Sequence, residues 1–528
     1  MPVKRILACG LIASLIALGR GAWTVQAEDD AFFDGSTGAV SENLLQLAAA
    51  SEVPAVPRAV PAPAPAKHGK KSPTVVLIQI DGLGYRQLLR AIQKGEAPRL
   101  AALIQQQGYR VSPYLNGIPT VTMAVLTEIF YGKLIPGNEW YSKAQDKPQV
   151  ANVYERTFPA SSGLLYGGDV HLSELSGGGT GTNVNRAFLE RSDNEGKVDA
   201  VIRQVHGAYP LLLRYQLSHR VFPGRISAEV LGDKLKMGKD FKKAGIDTDL
   251  DKKAPLFLAL IERVFSPVAL EGVKRAVRKR APIVFADFSS WDERAHYYGA
   301  EAPEVSEVMT RIDQRIGEIA RTVAEHGARL VIFSDHGQTK TENFIRKFGK
   351  RPQQALDELA LASNPKAPKG ELVFSHVYSM GNIYVRGTSG HLEEAELERR
   401  YPGLIARLVG HPGIGMVAVR NGAGIRLLGN TPDPLVQYAD AWSTPAVLRS
   451  QVENYMGIDE SGDIVVFAPY DGEKTLDYNE NYTIVSEHGG LGGDQMHPFI
   501  LYDPSAVTLD PAAVQDARGL HGAFQALR

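Results

Sequence analysis

Three apolar runs dictate the kind of sheet this chain can build. TVVLIQI (74–80), PIVFADF (282–288) and LVIF (330–333) are rich in β-branched and aromatic residues and apolar on both faces. A strand of that kind is covered on both sides, as in the parallel sheets of α/β proteins. Each run then gives way to polar residues. TVVLIQI is followed at once by Asp81-Gly82, LVIF by Ser334-Asp335-His336, and PIVFADF by SSWDERAHYYG with Asp292 and His296. Helical periodicity fills the intervals: Tyr85 to Gln107, Thr122 to Tyr131, and most strongly Pro303 to His326. This strand–loop–helix alternation predicts an α/β fold with a central, mostly parallel sheet flanked by helices. Ligands bind such sheets outside the carboxyl ends of the strands, where these polar residues fall.

The chain has 528 residues, 44% hydrophobic and 22% charged, with a net charge of -1, the balance of a soluble globular protein. A near-neutral chain excludes broad electrostatic binding, so no nucleic-acid polymer partner is expected. Residues 1–27 read as a secretory signal peptide. Lys4 and Arg5 precede an apolar run too short to span a bilayer, and Val25-Gln26-Ala27 suits cleavage. The expected location is periplasmic or secreted, with no stable membrane insertion after cleavage. Cys9 is the only cysteine and lies in this leader, so the mature chain lacks a thiol nucleophile, a thiolate ligand and a disulfide. Residues 28–72 read as a Pro/Ala-rich linker, and residues 73–528 are expected to form the folded domain. Within it, stretches near 155–280 (with GGGTGTN, 177–183) and 340–480 (with GNIYV, GAGIRLL and GDIVVFAPY) read as inserted cap segments at the sheet's active edge.

The chemistry-bearing residues are Asp81, Asp292, His296, Asp335, His336 and His488, the last in VSEHGGLGG. Three carboxylates and three imidazoles suit two adjacent divalent metals. Asp292 and His296 are four apart and share a helix face. By itself that spacing has a more ordinary origin, a surface Asp/His pair on a helix. Asp335 alone reads as well as a turn residue, and Asp81-Gly82 as a plain turn. His497, in QMHPF, competes with His488 for any role. Thr120 and Thr122, at a helix start where either could be the cap, supply hydroxyls.

Together these motifs resemble the alkaline phosphatase superfamily, most closely its type I phosphodiesterase/nucleotide pyrophosphatase branch. The resemblance rests on IQIDGLG, Pro119-Thr120-Val121-Thr122, LIPGNEWY, the Asp-x-x-x-His pair Asp292/His296, the Asp-His pair Asp335-His336, and the His-Gly motif at His488. It covers about residues 74–140, 280–340 and 480–503 and implies a three-layer sandwich. It further implies a hydrolase cleaving phosphodiester or pyrophosphate bonds through a covalent phosphothreonine at Thr122. Asn138 would bind a phosphoryl oxygen. Asp292, His296 and His488 would hold one metal; Asp81, Asp335 and His336 would hold the other, with Thr122 facing both. Two divalent ions are expected, zinc by donor type, with manganese or iron as alternatives. The partner would be a small phosphorylated substrate. A phosphomonoesterase and a non-catalytic metal-binding exported domain are the competing readings. Met123, the EIFYGK helix end and the GGLGGDQMHPFIL tail depart from the branch's usual pattern and leave the substrate open. The sulfatase branch would need a Cys/Ser-x-Pro-x-Arg pattern, and none lies near Thr122.

Overall fold

A computed structural model describes residues 73–180, 210–221, 223–244, 254–422, 424–480 and 483–528. The signal peptide, Cys9, the linker and residues 181–183 of the Gly-rich stretch lie outside the described residues. The main sheet has six strands: β1 (Val75–Gln79), β2 (Arg110–Pro113), β3 (Asp169–His171), β4 (Ile283–Asp287), β5 (Arg329–Phe333) and β6 (Phe499–Tyr502). Their order is β2-β6-β5-β1-β4-β3. β1 runs parallel to β4 and β5, and β3 runs parallel to β4. β6 is antiparallel to both β5 and β2.

The apolar runs explain the layers. Side chains alternate across a strand, so Val76 and Ile78 of β1, Val284 and Ala286 of β4, and Leu330 and Ile332 of β5 enter one core. It is covered by α1 (Tyr85–Gln93), α2 (Pro98–Gln107), α4 (Ser290–Tyr298) and α5 (Pro303–His326). Val75, Leu77, Ile283, Phe285, Val331 and Phe333 enter the opposite core, under α3 (Thr122–Tyr131) and the C-terminal helix Arg518–Gln525. The result is the three-layer α/β/α arrangement expected. Each fully buried Val, Ile or Phe contributes about 1.5–3 kcal/mol, so both faces hold the sheet in the interior.

Two sequence expectations need correction. The helical pattern from Tyr85 to Gln107 is two helices, because the chain turns at Gly95 (φ +76°) and restarts with Pro98 at the first helical positions of α2. Neither threonine caps α3. Its N-cap is Val121, and Thr122 is already helical.

The 340–480 stretch builds a second sheet of five antiparallel strands, Leu372–Val377, Met380–Val385, Met416–Arg420, Ile425–Leu428 and Ile464–Phe467. Helix Pro445–Met456 packs on one face, and helices Pro352–Ser363, Glu394–Arg400 and Leu404–Val409 on the other. In the first inserted stretch the described residues are mainly helical, with Pro223–Lys243, Ala254–Leu260 and Ser266–Arg278.

Candidate active site

Register brings the site together. Gln79 lies opposite Asp287 on β4 and Phe333 on β5, so the three central strands end level. Asp81, the start of α4 and Ser334-Asp335-His336 therefore emerge at one edge. Asp81, Asp335 and His336 each place a ligand atom within 4.8 Å of the others. His336 Nε2 lies 3.3 Å from Asp335 Oδ2 and 3.6 Å from Asp81 Oδ1. The glycine of Asp81-Gly82 is required: at φ +70° a Cβ there would fall 2.0 Å from Asp292 Oδ1. Its N–H donates to Asp335 Oδ1 at 3.2 Å.

α4 delivers Asp292 and His296 on one face, with His296 Nε2 3.0 Å from Asp292 Oδ2. His488 follows a two-residue strand, Ser486–Glu487, which pairs with Thr339–Lys340 just beyond β5. Its ring stacks on His336 at 3.6 Å between centroids. His488 belongs to two groups of ligand atoms within 4.8 Å, one with Asp292 and His336, the other with His296 and Glu487. The grouping thus differs from the one expected. Asp292, His296 and His488 do not form a closed trio; Glu487 stands beside His296 and His488, and His336 is common to two of the groups.

Thr122, the first residue of α3, points its Oγ1 at this cluster, 3.2 Å from His336 Nε2 and 3.5 Å from Asp81 Oδ1. Thr120 turns away. Its Oγ1 accepts the Gly489 N–H at 2.7 Å, and its carbonyl accepts from His488 Nδ1 at 2.7 Å. Asn138 donates its amide to the Tyr378 hydroxyl at 3.4 Å. The Tyr378 ring stands edge-on to His488 at 5.1 Å between centroids. Tyr378 has φ +54°, in the turn of the hairpin Leu372–Val377/Met380–Val385. That hairpin presses on the His488 loop so closely that a Cβ on Gly489 (φ +114°) would meet the Val377 carbonyl at 2.3 Å. His497 lies elsewhere, with Nε2 3.4 Å from Asp440 and its ring against Trp442.

Sequence reasoning missed Glu487, Tyr378 and Gln338. Gln338 donates to Asp292 Oδ1 at 2.5 Å. Glu487 and Gln338 sit inside the very motifs that drew attention, VSEHGG and SDHGQT. Their burial, not their spacing, distinguishes them.

The family model for type I phosphodiesterases and nucleotide pyrophosphatases matches residues 75–411. That span starts at β1 and holds every expected site residue except His488. The chain belongs to this family. It thereby falls within the alkaline phosphatase superfamily, and its activity is phosphoester hydrolysis. Among solved structures it is similar to phosphonoacetate hydrolase from Sinorhizobium meliloti 1021 in complex with phosphonoformate. There the identity is 15%, the TM-score 0.48, and the coverage 86% of this chain and 96% of the other. It is also similar to murine ectonucleotide pyrophosphatase/phosphodiesterase 5, an inactive form in complex with AMP. That match has 11% identity, a TM-score of 0.42, and coverage of 86% and 94%. No curated protein sequence matches the chain.

The electrostatics of this phosphodiesterase-family site call for cations. Burial pushes the Asp81 carboxyl well up, and Asp335, Asp292 and Asp287 push the same way. Burial also raises Asp335 against the pull of His336, and Glu487 against the pull of His296. Asp292 runs opposite: burial would raise it, but His296, His488 and His336 together hold it below the usual carboxylate range. Burial lowers His488, helped by His336. Asp335 Oδ2 and Glu487 Oε1 are buried with no hydrogen-bond donor among the described residues. Buried carboxylate oxygens left this way cost several kcal/mol unless a cation meets them. The donor set, carboxylate and imidazole, fits divalent metal ions.

Proposed function

We propose that this chain is an exported hydrolase that cleaves phosphodiester or pyrophosphate bonds of a small substrate through a covalent phosphothreonine at Thr122. The observation that carries the reading is Thr122 Oγ1, held at the start of α3 within 3.5 Å of both Asp81 and His336. Asp81, Asp335 and His336 would hold one divalent ion. Asp292, His296 and His488, drawn from the two groups that share His488, would hold another as they close around it, with zinc the metal favoured by the donors. When bound, such ions polarise phosphoryl oxygens and lower the pKa of a nearby hydroxyl.

The residues do the rest. Asp81 Oδ1 accepts the Thr122 hydroxyl hydrogen, and Oγ1 attacks phosphorus. The new Oγ–P bond replaces the bond to the leaving oxygen, and water later cleaves the threonyl phosphate. The first backbone amides of α3 face the phosphoryl group at the positive end of the helix. The Asn138 amide donates to an equatorial oxygen, as an oxyanion-hole group does. Thr120 fixes His488 and the Gly489 loop and takes no part in bond making. Residues 1–27 support export to the periplasm or medium, which N-terminal sequencing of the secreted chain would test.

The decisive assay compares bis(p-nitrophenyl) phosphate with p-nitrophenyl phosphate. Preference for the diester, lost on chelation and restored by zinc, is expected. Preference for the monoester would replace this reading with a phosphomonoesterase. Bound zinc without turnover of either would replace it with a non-catalytic metal-binding domain.

A further inference from the structure

The three site imidazoles share one orientation. His336 Nδ1 lies 3.1 Å from the Gly337 carbonyl, His488 Nδ1 2.7 Å from the Thr120 carbonyl, and His296 Nδ1 2.9 Å from the Ser486 carbonyl. A carbonyl only accepts, so each Nδ1 carries the proton and each Nε2 offers its lone pair. His296 alone has a carboxylate at the same nitrogen, with Glu487 Oε2 at 2.6 Å. The N–H donates to the Ser486 carbonyl; Glu487 Oε2 lies closer but off that line, an ion-pair approach and not a second hydrogen bond. Both groups come from one two-residue strand. That strand is fixed by its pairing with Thr339–Lys340, and the preceding Val485 N–H donates to the His296 carbonyl at 2.8 Å. Segment 485–487 therefore clamps the end of α4 from the backbone and the side chain together.

Glu487 is fully buried, a costly place for a carboxylate. The group it serves faces the other way: His296 Nε2 points toward Asp292. An anionic group behind a ligating imidazole fixes its tautomer and ring orientation and raises its donor strength.

We infer that Glu487 is a positioning residue, a carboxylate that holds and polarises His296 so that this half of the site keeps its cation. The inference rests on the two-metal reading above. It extends that reading by assigning a role to a residue that lies outside the family span and that the motifs left without one.

The test is a zinc titration of the full chain against a chromophoric chelator, for the native protein, Glu487→Gln and Glu487→Ala. Thermal unfolding of the metal-free forms serves as the folding control. Glu487→Ala should still bind two zinc ions, one about 10–100-fold more weakly and the other unchanged. Glu487→Gln keeps an oxygen beside Nδ1 without the charge and should fall between native and alanine. If Glu487→Ala does not fold, Glu487→Gln alone decides the point by the selective loss at one ion. Native affinity at both sites in the folded variants overturns the proposal, as does stoichiometry dropping to one, which would make Glu487 a direct ligand. A native chain that binds no zinc overturns the two-metal reading and this inference with it, whereas native binding with indifferent variants overturns only the latter.

Discussion

Asp81, Asp335 and His336 stand at the ends of two adjacent parallel strands. Asp292, His296 and His488 come instead from a helix and from the residue after a two-residue strand far along the chain. The first trio inherits its geometry from the sheet, because paired strands that end level have no freedom to separate their last residues. The second is assembled from parts that touch nowhere in sequence. It needs extra ties: the Thr120 carbonyl on His488, segment 485–487 on α4, and Gln338 on Asp292. A sheet edge supplies position at no added cost, whereas a site grafted from loops requires a surrounding shell of hydrogen bonds.

The largest expected effect belongs to the residue that faces both halves. Thr122→Ala should lower kcat by about 10⁴-fold or more, in the range seen when a nucleophile is deleted, with metal content unchanged by elemental analysis. Loss of a metal in that variant would make Thr122 a ligand first and attach it to the sheet-edge half. His488→Ala should release the cation of the late half and leave the sheet-edge cation in place, read as one equivalent retained per chain. Loss of both would mean that the shared His336 welds the halves into one unit. Asn138→Ala should reduce kcat/KM by about 10²–10³-fold at constant melting temperature and metal content, as for one lost oxyanion donor. A parallel fall in melting temperature would make Asn138 a turn residue instead. The smallest effect is expected at His497, which touches Asp440 and Trp442 and neither trio. His497→Ala should keep both metals and activity while costing about 1–3 kcal/mol of stability for the buried partners it strands. Metal loss there would move the late half's boundary.

The same contrast explains what could be read from residues alone. β1, β4 and β5 announce themselves because strands buried on both faces have few ways to be spelled. The position of Asp81 or Asp335 follows from where the apolar run stops. Helical spacing placed Asp292 and His296 on one face, but only the company of the other motifs made them site residues; the 24-residue α5 was legible from its period. Glu487 was not, because a glutamate beside a histidine and glycines looks like solvated loop. Only the long-range pairing with Thr339 places it in the interior. Tyr378 is hidden for a similar reason: the hairpin that carries it reaches His488 by folding of a separate sheet. The break between α1 and α2 was written in Gly95 and Pro98, and the continuous apolar period on either side obscured it.

The contact between Thr120 and His488 joins residues 368 positions apart. A chain made from its N-terminus exposes Asp81 and Thr122 long before the partner of Thr120 exists. Closing so large a loop is entropically slow, and folds dominated by such distant pairings form late. The proposed nucleophile therefore spends most of the chain's synthesis without the groups that complete its surroundings. A polypeptide that stops short of Ser486 would carry the main strands of the sheet, the threonine and five of the six proposed ligands, yet be inert for want of His488. On the proposed mechanism, chemical competence waits for residues 486–488, and that stretch of sequence acts as the arming step.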